Sequence, residues 1–365
     1  MTAAFIPGLE LSRLFYCEQV RPLLDASFPD LAHTAALVGA GSDVLGFDTA
    51  RSTDHDWGPR LQLLLADAGP TADVSAMLTA RLPAEFRGFP TVFPASGAPR
   101  ESAGHWVRVA RLADWLPGTL GFDPRVAVTL LDWLATPAQT LAEVTGGAVF
   151  HDGLAGRPGG GLDAARAALA WYPRDVWLYV LACQWQRIDQ EEPFPGRCAE
   201  VGDELGSAIV AGRLVRDLVR LVLLMQRRYP PYSKWLGTAF ARTPAAADLL
   251  PLLMGVLAAT SWPAREDSLC AAYEAVGRLH NELGLTARVD PAVRPTFWDR
   301  PFRVLGAARF AAALRAAIAD PVIRALPPAG AVDQFTDSTD ALGDRRRLRA
   351  AAAVQLGAAQ LGATG

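Results

Sequence analysis

Residues 34–38 and 61–65 are short apolar runs separated by a stretch rich in glycine, aspartate and serine. Runs of this length are too short for stable helices and read as buried strands, the first closing on the tight turn Gly39-Ala40-Gly41-Ser42. Residues 54–57 also read as extended, and residues 106–112 alternate as a further strand. Together these segments commit the first third of the chain to a sheet. Helical spacing of apolar residues marks 9–26 and 72–80 within it. Past about residue 120 that spacing takes over, through 122–134, 162–171, 175–187, 197–228, 245–261 and 266–283. Residues 307–319 add a helix to a proline-rich stretch, and an Ala- and Gly-rich tail follows Arg349. The expected fold is α+β: a small mixed β-sheet core over residues 1–120, a mainly helical domain over 121–345, and a tail over 346–365.

Composition narrows the function classes. The chain of 365 residues has a formal net charge of -3, so no whole-chain basic field draws it to nucleic acid or to an anionic membrane. Its 51% hydrophobic content supplies a sizeable core. Cys17, Cys183, Cys198 and Cys270 are scattered without a CxxC pair, which argues against a zinc knuckle or a disulfide framework. The most apolar stretch, 214–225, is broken by Arg216, Asp217 and Arg220 and is too short to span a bilayer. The N-terminal residues have neither a basic region nor a long apolar core. A cytoplasmic, soluble protein is expected.

Chemistry concentrates in residues 38–60, VGAGSDVLGFDTARSTDHDWGPR. Gly39 and Gly41 permit a backbone turn that a Cβ would obstruct, and Ser42 with neighbouring amides suits a phosphate oxygen. Asp54 and Asp56, two apart on an extended segment, would point their carboxylates to one face. Two converging carboxylates repel unless a cation joins them, and hard oxygen ligands suit a Mg²⁺ that completes its shell with water and a triphosphate. Arg51 and Arg60 flank the pair as phosphate contacts. The Gly39-x-Gly41 turn lacks the third glycine of a dinucleotide fingerprint, since Val44 stands in its place. His55 would face the opposite side of the strand from the two aspartates. The other histidines show no metal-binding spacing, and no nucleophile elbow is present.

A Gly-Ser turn, about a dozen residues, then Asp-x-Asp resembles the active-site segment of the DNA polymerase beta-like nucleotidyltransferase superfamily, particularly its aminoglycoside nucleotidyltransferase-like branch. The stretch TDHDWGPR, residues 202–240 and Val332-Asp333-Gln334-Phe335 resemble one uncharacterised bacterial family of that branch. The resemblance implies transfer of a nucleoside monophosphate, AMP from ATP above all, onto a small-molecule acceptor, with pyrophosphate leaving. By the same resemblance Gly41 and Ser42 would contact the triphosphate, and Asp54 and Asp56 would bind Mg²⁺. The superfamily's third carboxylate has no counterpart: the matching strand is Trp106-Val107-Arg108-Val109, while Glu101 lies before it and Asp114 after it.

The helical region offers substitutes. Glu200 and Glu204, spaced i, i+4 on one expected helix, nominate Glu204 as a base. Arg213, Arg216 and Arg220 form a basic stripe that would serve as a triphosphate clamp, and Lys234 is a further phosphate contact. Asp189, Glu191 and Glu192 form an acidic cluster that would suit a cationic acceptor or simply a solvated loop. Two alternatives stay open: adenylylation of a protein or RNA, and a catalytically silent nucleotide-binding protein.

Overall fold

The computed structural model describes residues 4–94, 103–336 and 345–356. The chain divides into two compact units, Met1–Asp132 with Thr140–Trp171, and Trp133–Gln139 with the residues from Tyr172 onward. The first unit carries helices α1 (Gly8–Phe15) and α2 (Arg21–Ser27), joined without a break by a π-type turn over Tyr16–Val20. Strands β1 (His33–Leu37) and β2 (Arg60–Leu65), helix α3 (Thr71–Arg81) and the short strands β3 (Glu85–Phe86), β4 (Phe89–Pro90) and β5 (Val92–Phe93) come next. Strand β6 (Gly104–Arg111) leads into α4 (Leu112–Leu120), α5 (Leu130–Ala135), α6 (Ala138–Thr145), β7 (Ala148–Asp152) and α7 (Leu162–Ala168). The expected α+β class is what the chain adopts.

The five-stranded sheet has the order β5-β6-β2-β1-β7. Strand β2 pairs antiparallel with β1 and parallel with β6, and the parallel step is bridged by α3, as a crossover connection requires. Alternate residues of β2 divide between two faces. Leu61, Leu63 and Leu65 join Ala35 and Val107 in a core closed by Leu11, Phe15, Leu24, Val74 and Leu78 of the three helices and by Val20 of the π-type turn. Arg60 and Gln62 point to the opposite face, where Arg60 Nη2 donates to the Ala40 carbonyl and Gln62 Oε1 accepts from the Val38 amide.

The sheet unit extends well past residue 120, where helical spacing takes over in the sequence, because β7 completes it at the far edge. Periodicity does not reveal this strand. Its approach depends on Gly147, at φ +63°, where a Cβ would collide with the Leu37 carbonyl. Arg166 then binds the carbonyls of Thr145 and Gly146 and fixes the turn that launches the strand.

The second unit is helical: α8 (Arg174–Glu191), α9 (Phe194–Glu200), α10 (Glu204–Met225), α11 (Ser233–Ala241), α12 (Ala246–Ala258), α13 (Trp262–Glu282), α14 (Ala308–Ala317), α15 (Pro321–Ala325), α16 (Val332–Phe335) and α17 (Arg345–Leu356). No described helix is long and apolar enough to cross a membrane. The single helix expected over 197–228 is two. Gly202, at φ +74°, breaks it, and the Asp203 carboxylate caps the new N-terminus by accepting from the Gly206 amide at 2.7 Å. Glu200 and Glu204 therefore sit on different helices.

Between α8 and α10 runs a buried polar network. Gln184 donates to Asp217 and accepts from Gln334, and Gln334 also donates to the Val180 carbonyl. Arg187 pairs with Asp217 across 3.3 Å. The polar groups satisfy one another, and so they fix where the Val332–Phe335 turn docks. The acidic cluster is spent internally as well, contrary to both expectations for it. Glu191 pairs with Arg213, Asp189 accepts from the Ala308 amide, and Glu192 accepts from the amides of Leu305, Gly306 and Ala307.

Two buried titratable groups in this unit oppose each other across one pH window. His280 accepts from the Trp185 indole N–H at Nδ1 and hydrogen-bonds Thr286 through Nε2, and burial lowers its pKa to about 4. Its unfolded value is near 6.5, so stability is full above that pH and falls as pH drops toward 4. Burial pushes Glu192 up to about 7 against an ordinary value of 4.5, and stability from this group is lost as pH rises from 4.5 through 7. Each slope is worth about 3 kcal/mol at ~1.4 kcal/mol per pKa unit. In urea titrations between pH 4.5 and 7.5, relative to wild type, His280→Gln should tilt stability toward acid pH and Glu192→Gln toward neutral pH. Parallel profiles for all three proteins would contradict this assignment.

Candidate functional site at one end of the sheet

The strand register gathers the chemistry-bearing loops at one end of the sheet. Leu37 pairs with Ala148, Ala36 with Gln62 and Arg60 with Trp106. The last residues of β1 and the first residues of β2, β6 and β7 thus share that end. The Gly39–Ser42 turn leaves β1 here, and Asp54 to Asp56 lead into β2 here. The antiparallel pairing of β1 with β2 puts the chain leaving one strand and the chain entering the other at the same end of the sheet.

The turn is built by backbone geometry. Gly39 has φ +94° and Gly41 φ +146°, conformations that L-residues rarely adopt. The Gly39 amide bonds the Glu143 carbonyl, and beyond it the Leu45, Gly46 and Phe47 amides fold back on Gly41, Asp43 and Ser42. Among the described residues the amides of Ala40, Gly41, Ser42 and Asp43 have no acceptor. Successive unbonded N–H groups on a glycine turn form an anion-binding concavity. Gly41 and Ser42 are half-buried and Ala40 is exposed, so the turn is reachable from solvent.

Arg60 is not the phosphate contact that the sequence suggested. Its guanidinium grips Asp43 with two bonds, Nε to Oδ2 at 3.1 Å and Nη2 to Oδ1 at 2.6 Å. The Asp43 side chain is 1% exposed and that of Arg60 10%, so this arginine serves the architecture of the turn. Sequence reasoning overlooked Asp43, which stands 17 positions from its partner. Asp48 was overlooked as well: its Oδ2 accepts from the Gly8 amide at 2.7 Å and the Trp57 indole N–H at 3.1 Å.

Asp54 and Asp56 occupy a different backbone from the expected strand. Asp54 ends a 3₁₀ turn over Ala50–Asp54, and Asp56 has φ +49°, a left-handed conformation that aspartate tolerates. Strand β2 begins only at Arg60, so strand alternation does not aim these carboxylates. Residues 54–56 instead form an exposed knuckle anchored behind by buried Trp57. His55, expected to face away, bonds Asp54 through Nδ1 at 2.8 Å. Arg51 is exposed on the same 3₁₀ turn.

No carboxylate lies on β6, whose residues are Gly104 to Arg111. Asp114 is held by Arg111 at 2.5 Å, and Glu101 lies outside the described residues. Among the described residues no group of three or more His, Cys, Asp or Glu side chains is arranged to hold a metal. A Mg²⁺ ion that keeps several waters and draws its remaining ligands from phosphate needs only one or two carboxylates from a protein.

The remaining candidates belong to the second unit and are engaged there. Glu204 pairs with Arg265 at 3.0 Å and accepts from the Trp262 amide, where it secures the start of α13. That contact holds its pKa below the ordinary carboxylate value, the wrong direction for a base. Arg213 is taken by Glu191, and Arg220 donates to the Asp333 carbonyl at 2.8 Å. Arg216 contributes its charge near buried Asp333. Lys234 lies over the Trp235 ring at 5.0 Å.

The turn has a steric signature that can be tested. A Cβ on Gly41 would run into Arg60 Nη2 and Asp43 Oδ1. Gly41→Ala should lower stability by about 2–4 kcal/mol through backbone strain and loss of the buried pair. Gly69→Ala, which meets nothing within 4 Å, serves as the neutral control. Equal urea midpoints for the two variants would show that the pair does not brace the turn.

Comparison with known proteins adds one match: residues 133–236 fit a family model described as a domain of unknown function (DUF4037). It spans β7 and much of the helical unit up to α11, and leaves the Gly39–Arg60 segment outside. No curated protein and no solved structure matches the chain.

Proposed function

We propose that this protein binds a nucleoside triphosphate with Mg²⁺ and transfers the nucleoside monophosphate, AMP from ATP, to a small-molecule nucleophile. The observation that carries the reading is the four unbonded amides of Ala40 to Asp43, at the same sheet end as the exposed carboxylates of Asp54 and Asp56. Amides without acceptors attract phosphate oxygens, and the carboxylates supply the hard oxygens that a magnesium–polyphosphate complex lacks. Asp54 would exchange its His55 contact for the ion. In the transfer, an acceptor oxygen forms a bond to the α-phosphorus while the bond to the pyrophosphate oxygen breaks, and the acceptor proton passes to solvent. Bound Mg²⁺ would offset the charge that develops on the phosphoryl oxygens. The residues contribute position: the turn holds the phosphate chain and the rigid Asp43–Arg60 pair keeps the turn in shape.

A second reading, a nucleotide-binding protein without turnover, is favoured by the lack of a carboxylate on β6. The position that would activate an acceptor hydroxyl holds no acid, and Glu204 is occupied by Arg265.

Both readings require ATP binding, and titration calorimetry with and without Mg²⁺ separates them from no binding at all. Wild type should bind ATP with Mg²⁺, and Asp54→Ala and Asp56→Ala should each weaken binding by tenfold or more, since charged contacts contribute about 1.5–3 kcal/mol. Both side chains are exposed, so the variants should fold. Pyrophosphate release in the presence of candidate acceptors would then identify turnover. ATP binding indifferent to Mg²⁺ and to both substitutions would remove the transferase reading.

A further inference from the structure

Strand β6 carries an exposed cation, Arg108, that has no ion pair among the described residues. In the parallel register Arg60 pairs with Trp106 and Gln62 with Arg108. Paired residues on neighbouring strands project to one face, so Trp106 and Arg108 share the face of Arg60 and Gln62. That face adjoins the glycine turn, because Arg60 reaches the Ala40 carbonyl and Gln62 receives the Val38 amide. Arg108 is exposed and makes no hydrogen bond or ion pair among the described residues. Its guanidinium lies over the Trp106 ring, 5.7 Å from the centroid, and that ring is stacked on Phe93 at 4.6 Å with its indole N–H bonded to the Phe93 carbonyl. The aromatic pair supports the stem of the guanidinium and leaves its edge open to solvent.

The other arginine on this face, Arg60, is consumed by Asp43. A planar guanidinium braced on an indole is arranged for two parallel bonds to an oxyanion. We propose that Arg108, backed by Trp106, is an oxyanion-binding contact on the face that adjoins the glycine turn, taking a phosphate or a carboxylate. The same chemistry admits two sources, the polyphosphate of the nucleotide and an anionic group on the acceptor. In the second case the acceptor is anionic, opposite to the cationic acceptor that Asp189, Glu191 and Glu192 suggested. The proposal draws on the nucleotide reading only for the identity of the ligand.

The test is titration calorimetry at low salt with Mg²⁺–ATP, tripolyphosphate and inorganic phosphate, on wild type, Arg108→Gln and Arg108→Lys. Wild type should bind at least one of the three. Arg108→Gln should weaken that binding about tenfold to a hundredfold, and lysine should restore part of it by keeping the charge without the planar fork. Equal melting temperatures would show that the exposed substitutions leave the fold intact. If Arg108→Gln weakens ATP and tripolyphosphate but not inorganic phosphate, the nucleotide is the source. If it weakens inorganic phosphate alone, the oxyanion belongs to the acceptor. Wild type that binds phosphate but never ATP would remove the transferase reading and keep this one. ATP binding unchanged in Arg108→Gln, together with no phosphate binding, would overturn the inference and leave the transferase reading standing.

Discussion

A buried ion pair organises the sheet end on which the functional reading rests. Asp43 and Arg60 meet in a two-bond grip, and the same arginine ties the Ala40 carbonyl to the first residue of β2. Removing two charges from water is costly, and such a pair contributes little net stability when weighed against apolar residues of the same volume. What it supplies is definition. The glycine turn has few side chains of its own with which to hold a shape, and the pair ties it to the start of β2. Gly41 has to lack a side chain because the guanidinium and the carboxylate occupy the space where a Cβ would project.

Rigid and mobile roles are divided along the same stretch of chain. Behind the knuckle, Trp57 is 7% exposed, fastened by Asp48 to the start of α1 and packed against Phe5 and Phe89. Three residues further on, Arg60 begins a strand that is buried along its whole length. Immediately before Trp57, Thr53, Asp54, His55 and Asp56 face solvent. Exposed polar residues ahead of a buried anchor can turn toward a cation without disturbing the core. A pair of carboxylates fixed on a strand would lack that freedom. The helical unit follows a different principle, with its charged side chains spent on one another: Glu191 on Arg213, Glu204 on Arg265, Asp217 on Arg187.

Much of the fold was legible in the sequence. The runs that became β1, β2, β6 and α3 lie within about two residues of their expected bounds, because short apolar runs closed by glycine, and helical spacing in a polar background, are local signals. The break at Gly202 escaped because apolar spacing continues across it. Strand β7 escaped because its pairing partner lies more than a hundred residues upstream. At the site, the glycine turn after β1 was legible in the sequence, and β2 begins within two residues of where its apolar run placed it. The conformation of the aspartates was not, since a 3₁₀ turn and a left-handed residue leave no periodic trace.

By itself the sequence determined which residues could carry chemistry and that a small sheet would present them: two glycines where the backbone must turn, two carboxylates a dozen positions on, and apolar runs to either side. Tertiary structure alone decided which of the charged residues would be available. Arg60 and Glu204 read as functional in one dimension, but folding brings Asp43 and Arg265 against them. Arg108 drew no role in one dimension, but the register of β6 puts it on the face of Arg60 and Gln62, exposed and with no ion pair among the described residues. The reason is physical. A charge is neutralised by whatever folding brings within a few ångströms, and those partners stand 17 and 61 residues away along the chain.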